Sequence, residues 1–208
     1  MEKKLKKISK RVNLFLKKYL SKFSSSELVA PMKYGLFPGG KKIRSKIIFD
    51  VGKIFRVKNK DLMILAASVE TIHAYSLIHD DLPCMDDDSL RRGKPSTHIK
   101  FGESTAILAG NSLLTTAFEI LSDKRFKVDD KIKSNLIHFL SRCSGQIGIA
   151  GGQYLDLSYE KKNVSLKKVL SMELKKTGKL FEFCCVAPLI IRKNKKNLNY
   201  FSKLGKDI

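Results

Sequence analysis

Five carboxylates, Asp80, Asp81, Asp86, Asp87 and Asp88, fall within nine residues of a chain that carries 41 Lys and Arg against 20 Asp and Glu. So much negative charge in a basic protein requires a cation among them. Hard divalent ions take oxygen ligands, and Mg²⁺ in particular binds one or two protein carboxylates while water and substrate phosphates fill its other positions. Arg91, Arg92 and Lys94 follow within eight residues of Asp86, and guanidiniums grip phosphate oxygens in pairs. Carboxylates for a metal beside guanidiniums for phosphate describe a metal-diphosphate site. A solvated acidic turn is the bland alternative and suits a lone Asp-Asp pair. The pattern Asp-Asp-x₄-Asp-x₄-Arg-Arg-Gly behind a long apolar helix argues against it.

The elements that must position these residues follow from periodicity. Leu62, Leu65, Ala66, Val69, Ile72 and Leu77 recur at helical spacing, which predicts a helix over 62–82 with Asp61 as N-cap and Pro83 ending it. Asp80 and Asp81 then lie near a helix C-terminus, where the macrodipole costs them a few tenths to ~1 kcal/mol unless a cation compensates. His73 stands two turns before Asp80, about 10.5 Å down the axis and on the same side. A lone helical His is commonly a satisfied core residue, and His79 reads as structural. Upstream, residues 35–40 predict a loop feeding a helix whose first turn carries Lys41 and Arg44 at i and i+3. Both would then stand beside free N–H groups, as in an anion site. On the residues alone an ordinary turn reads as well.

The run Asp80-Asp81-Leu82-Pro83-Cys84-Met85-Asp86, followed by Arg91-Arg92-Gly93-Lys94-Pro95, resembles the first aspartate-rich motif of the trans-isoprenyl diphosphate synthases, or polyprenyl synthetases. Within that family it is most similar to the bacterial farnesyl-type members, which share the two-residue insertion between the aspartates. Gly39-Gly40-Lys41-x-x-Arg44 resembles a second family motif, with Ser45 where many members have Pro. Residues 145–156 resemble the Gly-Gln-x-x-Asp element, and Lys176-Thr177-Gly178 the Lys-Thr motif. The resemblance implies that Asp80 and Asp86, with Asp81 as a further candidate, hold Mg²⁺ or Mn²⁺. It implies that Lys41, Arg44, His73 and Arg92 hold isopentenyl diphosphate, that Arg91, Lys176 and Thr177 serve the allylic diphosphate, and that Gln153 binds substrate. The catalytic set is then Asp80, Asp86, Arg91, Lys176 and Thr177.

By the same resemblance the chain is expected to be a prenyltransferase that condenses the two diphosphates to farnesyl diphosphate, as a homodimer. A geranylgeranyl-forming enzyme and a non-catalytic partner subunit are the alternatives. The latter would be expected to spoil the first aspartate motif, which is intact. Product length turns on Tyr75 and Ser76, which lie about 7.5 and 6 Å down the helix from Asp80. Geometry alone favours Ser76, almost directly beneath the aspartate, and leaves Tyr75 as a plain core aromatic. The resemblance favours Tyr75, because short-chain synthases carry an aromatic there as the pocket floor. In the family a second aspartate-rich motif lies beyond a segment like 201–208, so the chain is expected to lack the remaining metal ligands, and activity of the 208 residues alone is left open.

With 208 residues, 43% of them hydrophobic, the chain is expected to form one domain over 1–208 around one sizeable core. No alternating strand pattern competes with the helices, so the fold class is all-α; the resemblance makes it an isoprenoid synthase-type bundle around a central cavity, incomplete at the C-terminus. Residues 3–22 predict an amphipathic basic helix, Ser24 to Ser26 a cap for a short one, and 105–121 another helix. Asp129-Asp130 reads as solvated, a helix starts near Lys131, and Ser165 is a fair N-cap. No run reaches the ~18 apolar residues of a membrane span, and the basic N-terminus is unlike a signal peptide, so the protein reads as cytoplasmic. Cys84, Cys143, Cys184 and Cys185 have no metal-ligand spacing and read as reduced, mostly buried thiols. A net charge of +21 invites nucleic acid, but 33 of the 41 basic residues are scattered Lys and no nucleic-acid signature is present. Three of the eight arginines, Arg44, Arg91 and Arg92, instead fall inside the diphosphate motifs.

Overall fold

A computed structural model describes residues 2–208, and packing divides them into two compact units. The first takes the chain up to Lys46 together with Ala66–Ile120; the second takes Ile47–Leu65 with Leu121–Ile208. Among the described residues the only strands are those of one tiny hairpin, so the all-α expectation holds.

The first unit contains α1 (Glu2–Leu20), α2 (Val29–Leu36), the start of α3 (Ile43–Ile54) and the later part of α4 (Asn59–Asp80). After these come the hairpin strands β1 (Leu90–Arg91) and β2 (Lys94–Pro95), then α5 (Thr97–Phe101) and α6 (Glu103–Ser122). Helix α1 buries the stripe Ile8, Val12, Leu16, Tyr19 and Leu20 that its periodicity marks. Helix α4 is apolar on every face, and by length and composition it could cross a membrane. Burial of 78% of its most apolar window marks it as a core helix. Ser68, Glu70 and Thr71 nevertheless sit buried within it, so each needs a partner. Thr71 finds one on its own helix, its hydroxyl donating to Ser68 O at 2.8 Å.

The second unit holds the rest of α3 and the start of α4, followed by α7 (Asp130–Ser144), α8 (Ile149–Tyr159), α9 (Leu166–Glu173), a π turn (Leu174–Gly178), α10 (Lys179–Ile191) and α11 (Leu198–Asp207). Helix α10 lies against α7 and α11, with the Phe139 and Phe183 rings 5.4 Å apart between centroids. A Cβ at Gly205 would collide with the backbone of Glu182, so α11 approaches α10 closely. The Glu182 carboxylate is buried there and accepts from Lys179 Nζ (2.8 Å), Ser202 Oγ (2.6 Å) and Lys206 Nζ (3.2 Å). Burial alone would push its pKa up, but these donors together outweigh burial and hold it below the ordinary value.

Several local expectations are corrected. Asp61 is not a cap: α4 starts two residues earlier at Asn59, leaving Asp61 in the first turn near the positive end of the macrodipole. The helix also ends at Asp80, short of Leu82. Ser24 to Ser26 do not cap α2, whose N-cap is Leu28 without a side-chain bond; the backbone is already turning there, as Val29 N donates to Ser26 O. Ser165 holds the N-cap position of α9 in an extended conformation but likewise makes no side-chain cap bond. Asp129 is no idle surface charge, since it caps α7 by accepting from Lys131 N at 2.9 Å. The hairpin arises because Arg92 (φ 54) and Gly93 (φ 73) both take positive φ, as a two-residue hairpin turn requires. Strands of two residues are too short to show alternation in a sequence. Cys143, Cys184 and Cys185 are buried and Cys84 exposed, all as free thiols.

Candidate functional site

The acidic turn is stitched onto the end of α4 by its own backbone. Asp86 N donates to Asp80 O at 2.9 Å, Met85 N to Leu82 O at 2.9 Å, and Asp87 N to Leu82 O at 3.1 Å. These bonds satisfy carbonyls that a helix terminus leaves without partners, and they bring Asp86 against Asp80 across the five intervening residues. Asp81 goes elsewhere. Its buried side chain accepts from Arg91 Nε at 2.8 Å and also from Arg91 Nη2, which reaches Asp88 Oδ2 at 2.9 Å. The cation that the macrodipole demanded for Asp81 is thus a protein side chain delivered by β1. Burial still leaves the Asp81 carboxyl above its usual range, despite the Arg91 bond.

Whether this turn fits a divalent cation can be tested on its donors. Among the described residues no three His, Cys, Asp or Glu side chains converge, so the chain offers no all-protein cage. Mg²⁺ does not need one, since one or two carboxylates suffice when water and phosphate complete the shell. Half-buried Asp80 and exposed Asp86, joined through their backbones, match that need.

A cationic pocket of roughly 100 Å³, lined by Lys41, Lys42, Arg44, His73 and Arg92 with Glu70, also lies in the first unit. Gly39 (φ 101), Gly40 (φ 114) and Lys42 (φ 52) turn the chain sharply ahead of α3. Because the positive φ runs through Lys42, α3 begins only at Ile43. Lys41 therefore precedes the helix, contrary to expectation, and only Arg44 sits in its first turn. Arg92 reaches back from the hairpin and donates to Gly39 O. A Cβ at Gly40 would meet the movable end of the Arg92 side chain, and the positive φ there is what disfavours any other residue. The pocket's potential is visible in His73. Burial first, and then the charges of Arg44, Lys42, Arg92 and Arg91, push it down to about 2. So many cations around one neutral imidazole make the potential in this pocket positive. Lys42 and Glu70 were not singled out by the sequence. The signal that could have found Glu70 is a carboxylate inside a helix apolar all round, which has to be paired.

The structure does not bring all the candidates together within one unit. Lys176, Thr177 and Gln153 belong to the second. Lys176 sits in the π turn with Nζ on Asp156 of α8, and a Cβ at Gly152 would collide with the Lys176 backbone, so α8 and the turn are in close contact. Gln153 is buried, and Thr177 Oγ1 is 3.5 Å from Glu173 Oε2. In the first unit Tyr75 is buried edge-on to His79, with centroids 5.7 Å apart and planes at 81°. Burial, then Asp80, pushes its phenol up to about 12, so it stays protonated. Ser76 is buried and donates to His73 O at 3.1 Å. His79 Nε2 lies 3.1 Å from Ile107 O, in keeping with a structural role.

With this geometry in place, the polyprenyl synthetase family model matches residues 25–208. The chain belongs to the polyprenyl synthetase family. It is 46% identical over 174 residues to the farnesyl diphosphate synthase of Escherichia coli (strain K12), a match covering 82% of this chain and 58% of that protein. It is 43% identical over 164 residues to the farnesyl diphosphate synthase of Bacillus subtilis (strain 168), covering 77% and 54%. Among solved structures, an FPP/GFPP synthase from Zymomonas mobilis superposes with a TM-score of 0.91 at 34% identity, covering all of this chain and 78% of that one. A geranyltransferase from Legionella pneumophila gives 0.92 at 35% identity, covering 98% and 74%. The chain thus spans somewhat under three fifths of the length of these curated relatives. The chain also has a larger groove between α1 and the start of α3, about 1080 Å³, lined by Leu5, Leu14 and Ile43. It lacks the His73, Arg44 and Arg92 side chains that line the smaller pocket.

Proposed function

We propose that this polyprenyl synthetase is a short-chain prenyltransferase that joins isopentenyl diphosphate to dimethylallyl or geranyl diphosphate, forming farnesyl diphosphate as a homodimer. The observation that carries the proposal is that helix α4 bears both His73, in the cationic pocket, and Asp80, at the acidic turn, two turns apart on one rod. In this reading Lys41, Arg44 and Arg92 hold the isopentenyl diphosphate, and neutral His73 adds a hydrogen bond without further charge. Asp80 and Asp86 would hold Mg²⁺, or Mn²⁺ in its place. The bound ion supplies Lewis-acid neutralisation of a diphosphate leaving group. By the same family likeness Arg91, Lys176 and Thr177 are assigned to the allylic diphosphate and Gln153 to substrate. The allylic C–O bond breaks, the isopentenyl double bond attacks the resulting carbocation to form the new C–C bond, and loss of a proton restores the alkene. The names of the curated relatives support this activity, while the FPP/GFPP neighbour favours a longer product as the second reading.

The test uses this chain joined to the C-terminal part of the E. coli relative, incubated with geranyl diphosphate, isopentenyl diphosphate and Mg²⁺. A C15 diphosphate on product chromatography is expected. No condensation from a folded chimera, with the E. coli enzyme active alongside, overturns the reading. Tyr75→Ala should lengthen the product to C20 and beyond, and an unchanged C15 product would make Tyr75 plain core.

A further inference from the structure

We propose that Glu70 is the positioning residue of the cationic pocket, holding Lys41 and Arg44 in place from beneath while touching no substrate itself. The inference rests on the reading of that pocket as the isopentenyl diphosphate site. Glu70 is the one carboxylate among the described residues that line the pocket, and a carboxylate there would repel a diphosphate unless its charge were already answered. Both of its oxygens are engaged. Oε1 accepts from Ser45 Oγ at 2.6 Å and Ser45 N at 3.2 Å, and Oε2 lies 3.3 Å from Lys42 Nζ. The Glu70 side chain is 2% exposed and that of Lys42 8%, so this is an enclosed, charge-assisted contact and not a surface pair.

The two contacts fall on either side of the start of α3. Ser45 N is one of the first-turn donors that a helix leaves without an intrahelical partner, so Glu70 fixes the helix that carries Arg44. Lys42 has φ 52, a conformation that costs a residue with a Cβ on the order of 1 kcal/mol. Its ammonium is tied down at Glu70 and, at 3.4 Å, at Leu36 O. The tether keeps Lys42 turned inward in the left-handed conformation, while its neighbour Lys41 stays exposed at the pocket's edge. The same pairing cancels one positive charge inside the cluster and leaves Lys41, Arg44 and Arg92 to meet the anion. Ser45 thereby gains a role its motif position did not suggest. A proline there could not donate to Glu70 from either its nitrogen or its side chain.

Calorimetric binding of isopentenyl diphosphate and of inorganic pyrophosphate to the 208-residue chain tests this, in the cold, where each variant keeps wild-type helical circular dichroism. Lost stability alone then leaves Kd unchanged. Glu70→Gln and Lys42→Met should each weaken binding about tenfold, the loss of one charged hydrogen bond's worth of organisation. The double variant should be no weaker than the weaker single one, because the two act through each other. Ser45→Ala, which keeps the helix and the Lys42 pair, should weaken binding two- to fivefold, by about the net value of one neutral hydrogen bond, and serves if Glu70→Gln does not fold. Wild-type affinity in Glu70→Gln or Ser45→Ala, or additive losses in the double variant, overturns the positioning role while the site stands. If the wild-type chain binds neither probe, or Lys41→Ala/Arg44→Ala binds both normally, the reading of the site falls and the positioning role with it.

Discussion

The acidic turn after α4 and the Glu182 cluster of α10 and α11 set carboxylates to opposite uses. Glu182 is buried and takes three protein donors, from Lys179, Ser202 and Lys206; its charge is answered within the fold and it has little left for a ligand. Asp80 and Asp86 are partly or fully exposed and are brought together by a backbone bond at the end of α4. Between these extremes Asp81 shows how narrow the division is. One residue along from Asp80, it is buried and committed to Arg91. A carboxylate's neighbours, more than its motif, decide whether it is scaffolding or a site.

The largest expected effect comes from removing one side of that contrast. In the chimeric enzyme, Asp86→Asn or Asp80→Asn should cut condensation about a thousandfold, the ~4 kcal/mol lost with one metal contact, with melting almost unmoved. Near-normal turnover in both would end the contrast. Next, Glu182→Ala should cost about 3 kcal/mol in chemical denaturation by leaving buried partners unmatched, yet leave pyrophosphate binding as it was. A binding defect there would mean that the carboxylate is not merely scaffolding. Ser202→Ala sharpens the same point at about 1 kcal/mol. The smallest effect is one of pH. The folded Glu182 carboxyl titrates below its ordinary value, so in acid the unfolded chain binds more protons than the native one. Its contribution is complete above the ordinary carboxylate range and is lost as pH falls through the depressed value. Glu182→Gln should flatten that part of the acid-stability curve, and an unchanged curve would show that the carboxylate is not held in its charged form.

Most helices, the acidic turn and the family were legible because they rest on short-range rules: periodicity, Pro83 after the helix, and charges at fixed spacing. The exact start of α3 was not, since it depends on Lys42 taking a left-handed conformation that no propensity favours and that Glu70, 28 residues away, accompanies. Asp129 was misread because a capping aspartate and a solvated one look alike until the helix start is known. Glu70 and Glu182 were passed over for a common reason. Each is the one carboxylate within the apolar stretch of its helix, and its partners, apart from Lys179, come from another segment. Arg91 shows the limit most clearly: the motif places it near phosphate, while the folded chain pairs it with Asp81 and Asp88.

The π turn at Leu174–Gly178 matters for alignment and engineering. Helix α9, the turn and α10 run without a break from Leu166 to Ile191, but a π turn carries about one residue more than the α-helical turn it replaces. The rod therefore slips in phase at Lys176, by about the 100° that one residue subtends in a 3.6-residue helix. Faces before and after the slip do not continue one another, so a heptad drawn through the whole span misassigns one half. Deleting a single residue between 174 and 178 would restore a regular pitch and rotate Met172, now buried, away from its present contacts. For this stretch an insertion or deletion is the perturbing change, because it shifts every residue on one side of the turn relative to the other.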